Sequence, residues 1–192
     1  MRSNKANRGR TFEKFVELAG YIGQRKGLIL FQRTPPEMKI IKGIGGGKFI
    51  SVFSGYGPPD YMVIDQSHVV FADAKEFSGK RFSFSHIRKH QADFFSELED
   101  INKSGVGALL LRADHSRQWI VPWSRIRKKY ELWESARMVK TSVSPGGASL
   151  SMDEIEKLGV RFDSDNFAEI LYGICVTATE ERFMAGIYKE AE

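Results

Sequence analysis

The stretch Pro58–Lys75, PPDYMVIDQSHVVFADAK, constrains the fold more than any other part of the chain. Tyr61-Met62-Val63-Ile64 and His68-Val69-Val70-Phe71-Ala72 are β-rich runs of strand length, and Asp65-Gln66-Ser67 between them is short and polar enough to turn a hairpin. A carboxylate stands at each outer end. Pairing across the turn brings Asp60 next to Asp73, and residues i and i+2 of a strand share a face, so Lys75 joins them. Two carboxylates and an ammonium then surround one small volume. Hard divalent cations select such oxygen ligands, and a cation-bound water attacking a phosphodiester needs a positioned ammonium beside it. The plain alternative is a set of solvated strand ends. What favours a site is that the triplet closes an otherwise apolar run, where charge is costly without a compensating partner.

With 192 residues, 42% of them hydrophobic and 14 of them Phe, the chain can bury one core. No apolar run approaches the roughly 18 to 20 residues of a membrane span, and MRSNKANRGR is not followed by the apolar stretch of a secretory signal. The expectation is a cytoplasmic protein without membrane contact. One cysteine, Cys175, excludes an intramolecular disulfide and a Cys-rich zinc site, and the four histidines form no H-x-x-x-H pair. A hard, oxygen-ligated metal is therefore favoured over zinc.

The net charge of +5 is unevenly spread. Residues 1–140 hold 25 Lys/Arg against 14 Asp/Glu, a net of +11, whereas residues 141–192 hold 4 against 10, a net of −6. The basic part carries the candidate site, as suits a protein that meets a phosphate backbone. A generic basic surface would give the same overall balance.

Residues 1–10 form a basic arm without acids, in which Arg8 and Arg10 are candidate phosphate contacts. Phe12, Phe15, Val16, Ala19 and Ile22 recur at helical spacing from Thr11 to about Gly23, with Glu13 and Glu17 on another face. Leu28–Gln32 is an apolar strand candidate. Residues 36–57 form a β-ribbon around the glycine-rich Gly43–Gly47, bearing Lys42 and Lys48; GIGGGK lacks P-loop spacing, so a protruding element is expected. Lys80 and Arg81 follow the hairpin. Ser85 can cap a helix with Ile87, Gln91, Phe94, Phe95, Leu98 and Ile101 at helical spacing, and Arg88, Lys89 and His90 cluster at its start. Val106–Leu111 and Gln118–Val121 are further strands, giving an α/β core with a mixed sheet flanked by helices. Pro122–Tyr130 is basic with interleaved aromatics, a DNA-facing element or an exposed helix. Ser144–Ser151 is a linker, and the acidic remainder is mainly helical.

The ordered set NRGRTFE (7–13), TPPEMKII (34–41), PPDY (58–61), FADAKE (71–76), FSFSHIRKHQ (82–91), GVGALLL (105–111) and SLSMDEIEKLG (149–159) resembles the RecU family of Holliday junction resolvases, within the PD-(D/E)-x-K nuclease superfamily. The resemblance covers about residues 7–160. It implies a restriction-endonuclease-like core over 11–140, a stalk at about 36–57, and an acidic extension over 141–192. It further implies a homodimer that cuts four-way DNA junctions with Mg²⁺, Mn²⁺ substituting.

Under the resemblance, Asp60 and Asp73 bind the metal with Ala74, Glu13 supports the metal shell, Lys75 orients the attacking water, and Gln91 touches the nucleophile or scissile phosphate. The pattern of basic residues, read apart from the resemblance, makes Arg8, Arg10, Lys42, Lys48, Lys80, Arg81, Arg88 and Lys89 the candidate phosphate contacts. Two departures stand out. The family shows threonines where Pro58-Pro59 stand and a glutamate where Asp73 stands, as suits a divergent, phage-encoded relative working in a bacterial or phage-infected cell. A nuclease of the same superfamily acting on other DNA, for restriction or repair, shares every one of these residues. A non-catalytic DNA-binding protein of the same fold is the third alternative, disfavoured because Asp60, Asp73 and Lys75 are all present.

Overall fold

The hairpin forms, and its second strand continues past the end of the first. In the computed structural model, which describes residues 5–35, 38–46, 48–53, 57–139 and 147–189, β4 (Tyr61–Ile64) pairs antiparallel with β5 (Val69–Phe77), Tyr61 opposite Ala72 and Ile64 opposite Val69. Asp65 Oδ1 accepts the N–H groups of Ser67 and His68, each at 2.7 Å, and closes the turn. Beyond Ala72, β5 runs on beside the parallel strand β7 (Gly105–Ala113), Asp73 opposite Leu109 and Phe77 opposite Ala113. Asp73 and Lys75 therefore lie inside a strand, on a segment that has lost its β4 neighbour.

Three more strands complete the sheet. β1 (Leu30–Arg33) pairs with β4, β8 (Arg117–Pro122) with β7, and β10 (Val160–Arg161) with β8, all antiparallel. The order is β1-β4-β5-β7-β8-β10, a mixed six-stranded sheet. β7 is buried along its whole length because both faces are covered. On one face, Phe12, Val16 and Ala19 of α1 (Lys5–Arg25) and Phe167, Leu171 and Ile174 of α5 (Phe167–Lys189) pack on Val70, Ala72 and Ala108. On the other, α2 (Lys89–Ile101), α3 (Trp123–Met138) and α4 (Met152–Leu158) cover Leu109, Leu111 and Val121. Gly20 lets α1 lie directly on β1, since a Cβ there would come 2.3 Å from the Phe31 ring.

Several boundaries differ from the sequence expectation. Helix α1 starts at Lys5, within the expected basic arm: Lys5–Arg10 holds no proline, and Gly9 costs only about 1 kcal/mol relative to Ala. The side chain of Arg8 lies outside the described residues. Ser83, not Ser85, is a cap: its hydroxyl accepts the N–H of Ser85 at the start of a short 3-10 turn, Phe84–His86, and α2 begins only after Arg88. Residues 147–189 of the acidic segment pack with the core. β9 (Ser149–Ser151) pairs with β6 (Arg81–Ser83), β10 forms a sheet edge, and α5 covers half a face. Phe167, Leu171, Ile174 and Ala178 make one buried stripe. At about 1.5–3 kcal/mol per large buried side chain that stripe outweighs exposed ion pairs, so apolar burial decides where the acidic tail docks.

β2 (Met38–Gly45) and β3 (Lys48–Phe53) form a two-stranded ribbon separate from the main sheet. Strand pairing persists through Gly43 and Gly45, with register shifts between Ile40 and Lys42 and between Gly43 and Gly45, so the expected loose tip shrinks to the turn at Gly46, whose φ is +60°. Among the described residues no helix is long and apolar enough to cross a membrane.

Candidate active site

Asp60 stands where β4 begins and Asp73 where β5 outruns it. Asp60 Oδ2 accepts the backbone N–H of Ala74 at 3.0 Å, bonding to the strand edge that β4 no longer covers. In a strand the carbonyl leaves on the same side as the N–H of its residue, so Ala74 O is directed to the same open edge. Thr34, just after β1, holds the approach to Asp60: its N–H donates to Asp60 O at 2.9 Å and its hydroxyl donates to Pro59 O. The sequence gives Pro58-Pro59 no hydroxyl, but strand order supplies one from residue 34.

Asp73 is fully buried. The Gln91 side-chain amide donates to Asp73 Oδ1, and Gln91 Oε1 accepts the Arg88 N–H at 3.2 Å, so the start of α2 fixes the amide in place. Lys75 Nζ lies 2.5 Å from Asp73 Oδ2, which has no hydrogen bond of proper geometry among the described residues. Burial pushes the Asp73 carboxyl up to about 7, against the Lys75 charge and with the help of the Asp60 charge; Arg88 also pulls it down. Burial and Lys75 push His86, on the 3-10 turn, below its ordinary value. A buried carboxylate with an incompletely bonded oxygen, a second carboxylate and an outward carbonyl make a donor set that suits a hard divalent cation.

Asp60, Asp73, Ala74, Lys75 and Gln91 are thus brought together. The Glu13 carboxylate is engaged by a cation: it receives Arg33 Nη2 at 2.8 Å, while Glu17 receives Nη1 of the same guanidinium at 2.7 Å. Among the described residues no group of three or more His, Cys, Asp or Glu side chains is gathered closely enough to hold a metal ion. Arg33 was missed by sequence reasoning, and its position beside Thr34 at the end of β1 was the available signal. Burial pushes the Cys175 thiol up to about 12, which keeps it protonated and unreactive.

The expected phosphate contacts divide. Arg10, Lys42, Lys80 and Arg88 are exposed and make no ion pair among the described residues. Arg81 Nε donates to Ser149 Oγ at 2.7 Å, and Lys89 pairs with Asp93 at 2.7 Å. The side chain of Lys48 lies outside the described residues. The basic stretch Pro122–Tyr130 is no free DNA-facing element: Arg125 is bound by Glu181, Arg127 by Asp100 and Glu131, and Lys129 by Glu154, while Trp123, Ile126 and Tyr130 are buried. Acids of the tail, α2 and α3 neutralise three of the four cations of this stretch, and Lys128 stays exposed without an ion pair among the described residues.

A family model described as Recombination protein U matches residues 7–176. The chain is 34% identical over 105 residues to a Holliday junction resolvase RecU from Mycoplasmopsis pulmonis, an alignment covering 54% of this chain and 60% of that protein. It is 22% identical over 193 residues to a protein of the same description from Streptococcus sanguinis, covering 97% and 89% respectively. The chain therefore spans less than two thirds of the mycoplasmal relative and most of the streptococcal one. Among solved structures it is similar to an Archaeoglobus fulgidus Hjc, described as a Holliday junction resolvase, with 9% identity and a TM-score of 0.44 over 84% of this chain and 98% of that one.

Proposed function

The chain belongs to the RecU family, and from that premise we propose that it is a metal-dependent endodeoxyribonuclease that resolves four-way DNA junctions. The observation that carries this is the convergence of Asp60, Ala74, Asp73, Lys75 and Gln91 on the open edge of β5. Mg²⁺, or Mn²⁺ in its place, would be held by Asp60, Asp73 and the Ala74 carbonyl; when bound it supplies a Lewis acid and an acidified water.

The chain's own residues do the rest. Lys75 holds a positive charge where negative charge builds on the phosphate and orients the incoming water, a contribution larger in the transition state than in the bound substrate. Gln91 keeps Asp73 in one rotamer and offers its amide to the scissile phosphate. Arg10, Lys42, Lys80 and Arg88 bind backbone phosphates, releasing counterions. Glu13 supports the metal site only after Arg33 lets it go, and an incoming phosphate is a competing partner for that guanidinium. Symmetric cutting of a junction calls for two such sites, hence a homodimer. Its workplace is the cytoplasm, where bacterial or phage DNA recombines.

A cleavage assay on a four-way junction and on linear duplex of the same arms, each with and without Mg²⁺, tests the proposal. Metal-dependent paired nicks in the junction alone are expected. Equal cutting of the duplex would make the protein a nuclease of broader substrate, and no cutting of either would leave a DNA-binding protein.

A further inference from the structure

β5 carries charge on both faces. Asp73 and Lys75 look toward α2, whereas Glu76 looks toward α1, where its Cα partner on β7 is Arg112. Both side chains are 5% exposed. Arg112 Nε donates to Glu76 Oε1 at 3.1 Å, and the guanidinium lies over the Phe12 ring, 4.8 Å from its centroid. Phe12 directly precedes Glu13. From the β7–β8 turn, His115 Nδ1 reaches the same Glu76 oxygen at 2.6 Å. Asp114 and His115 in that turn have φ of +49° and +62°, values that residues other than glycine seldom adopt.

As a stabilising device this pair is poor. Glu76 Oε2 and Arg112 Nη2 are buried without a hydrogen bond among the described residues, although Nη2 lies 3.0 Å from Glu76 Oε1 as an ion pair. Part of the cost of desolvating each charge is not recovered, and an apolar pair of similar size would serve the fold as well. What the pair does accomplish is to join β5, β7, α1 and the β7–β8 turn at the segment of β5 that lacks β4. Asp73 and Lys75 must keep their places there with a single neighbouring strand.

We propose that Glu76 and Arg112 are positioning residues for the nuclease site. They fix the spacing between β5 beyond Ala72 and α1 around Phe12, so that Asp73 and Lys75 keep their relation to Asp60. This rests on the nuclease function proposed above.

The test is the double replacement Glu76→Leu/Arg112→Met, which removes both charges together. It should fold with a Tm near that of the wild type and bind a four-way junction equally well. Its kcat, and its affinity for Mn²⁺ measured by calorimetry on the protein alone, should each fall by about 10- to 100-fold, the usual loss when groups supporting metal ligands are removed. A folded double variant with wild-type kcat and Mn²⁺ affinity overturns the inference and leaves a merely structural pair. Should that variant fail to fold, Arg112→Lys keeps the charge and gives up the flat stack and fork; the same comparison on it then decides. A wild-type protein that neither binds Mn²⁺ nor cuts overturns the nuclease function itself, a result distinct from either outcome above.

Discussion

Asp60 Oδ2 accepts the Ala74 N–H at 3.0 Å, so a side chain makes the bond that a continuing β4 would have made. The same carboxylate thereby has two tasks, which substitution can separate. Asp60→Asn keeps an acceptor oxygen for Ala74 but loses the negative charge; it should abolish cleavage, leave junction binding intact, and change stability by no more than about 1 kcal/mol. Asp60→Ala should lose cleavage and lower the Tm as well. Asp73→Asn should also retain binding without cutting. Mg²⁺-dependent nicking by either Asn variant, read on a denaturing gel, would remove that carboxylate from the site.

Gln91 joins α2 to Asp73 through its amide and to the Arg88 N–H through its carbonyl. Gln91→Ala takes a bond from the buried Asp73 carboxylate and another from the part-buried Arg88 N–H, a loss of about 1–3 kcal/mol by denaturant unfolding. A double-mutant cycle with Asp73→Ala, which removes the acceptor, should return a coupling of roughly 0.5–3 kcal/mol. A coupling near zero would make the contact idle.

Lys75 touches Asp73 at 2.5 Å and is the cation nearest the proposed metal ligands. Lys75→Ala should lower kcat far more than junction affinity, because its charge acts where the transition state gains charge. Tenfold weaker binding with an unimpaired rate at saturating junction would instead make it a phosphate anchor.

Away from the site, Glu99 sits buried in α2 and accepts the Gly107 N–H at 3.2 Å. Burial pushes its carboxyl from 4.5 up to about 7, against the pull of the Arg182 charge. The folded protein thus keeps a proton that the unfolded chain gives up from pH 4.5 onward. Stability from this group is complete below pH 4.5 and is lost as pH rises to about 7, by about 3 kcal/mol in all. Denaturant midpoints measured from pH 4 to 8 should fall across that window for the wild type and fall less for Glu99→Gln. Identical slopes would show that Glu99 does not titrate there.

The hairpin was legible because its two strands are local and their alternation is regular; Asp60 and Asp73 follow from counting outward from the turn. The extent of β5 was not, since what keeps it extended past Ala72 is β7, some thirty residues later, and local periodicity carries no trace of a parallel partner. The same limit hid the role of the tail. Its stripe of Phe167, Leu171 and Ile174 reads as an amphipathic helix, but only strand order reveals the open face it covers. Glu76 and Arg112 stand 36 residues apart, and only the register of adjacent strands brings them together. The basic run of α3 misled in the opposite direction, because charge composition cannot tell a free cation from one facing Glu181 or Asp100.

The ribbon bears the last prediction. An isolated two-stranded ribbon is at best marginally stable in water, and this one leaves Met38, Ile41 and Ile44 exposed beside the exposed Lys42. Residues with so little burial add little to the core, so the ribbon is better explained by what it meets outside. The open centre of a four-way junction, where phosphates of all arms converge, has room for such a slim basic element, and a linear duplex has no comparable space. Removing residues 43–47, or changing Lys42 and Lys48 to Glu, should weaken junction binding and resolution while leaving the Tm and Mg²⁺ affinity nearly unchanged. Gel-shift titrations on junction and duplex at one salt concentration separate the outcomes, because backbone contacts scale with salt on either substrate. Equal losses on both would reduce the ribbon to a general backbone contact. Undiminished binding of both would move junction recognition to another surface of the protein.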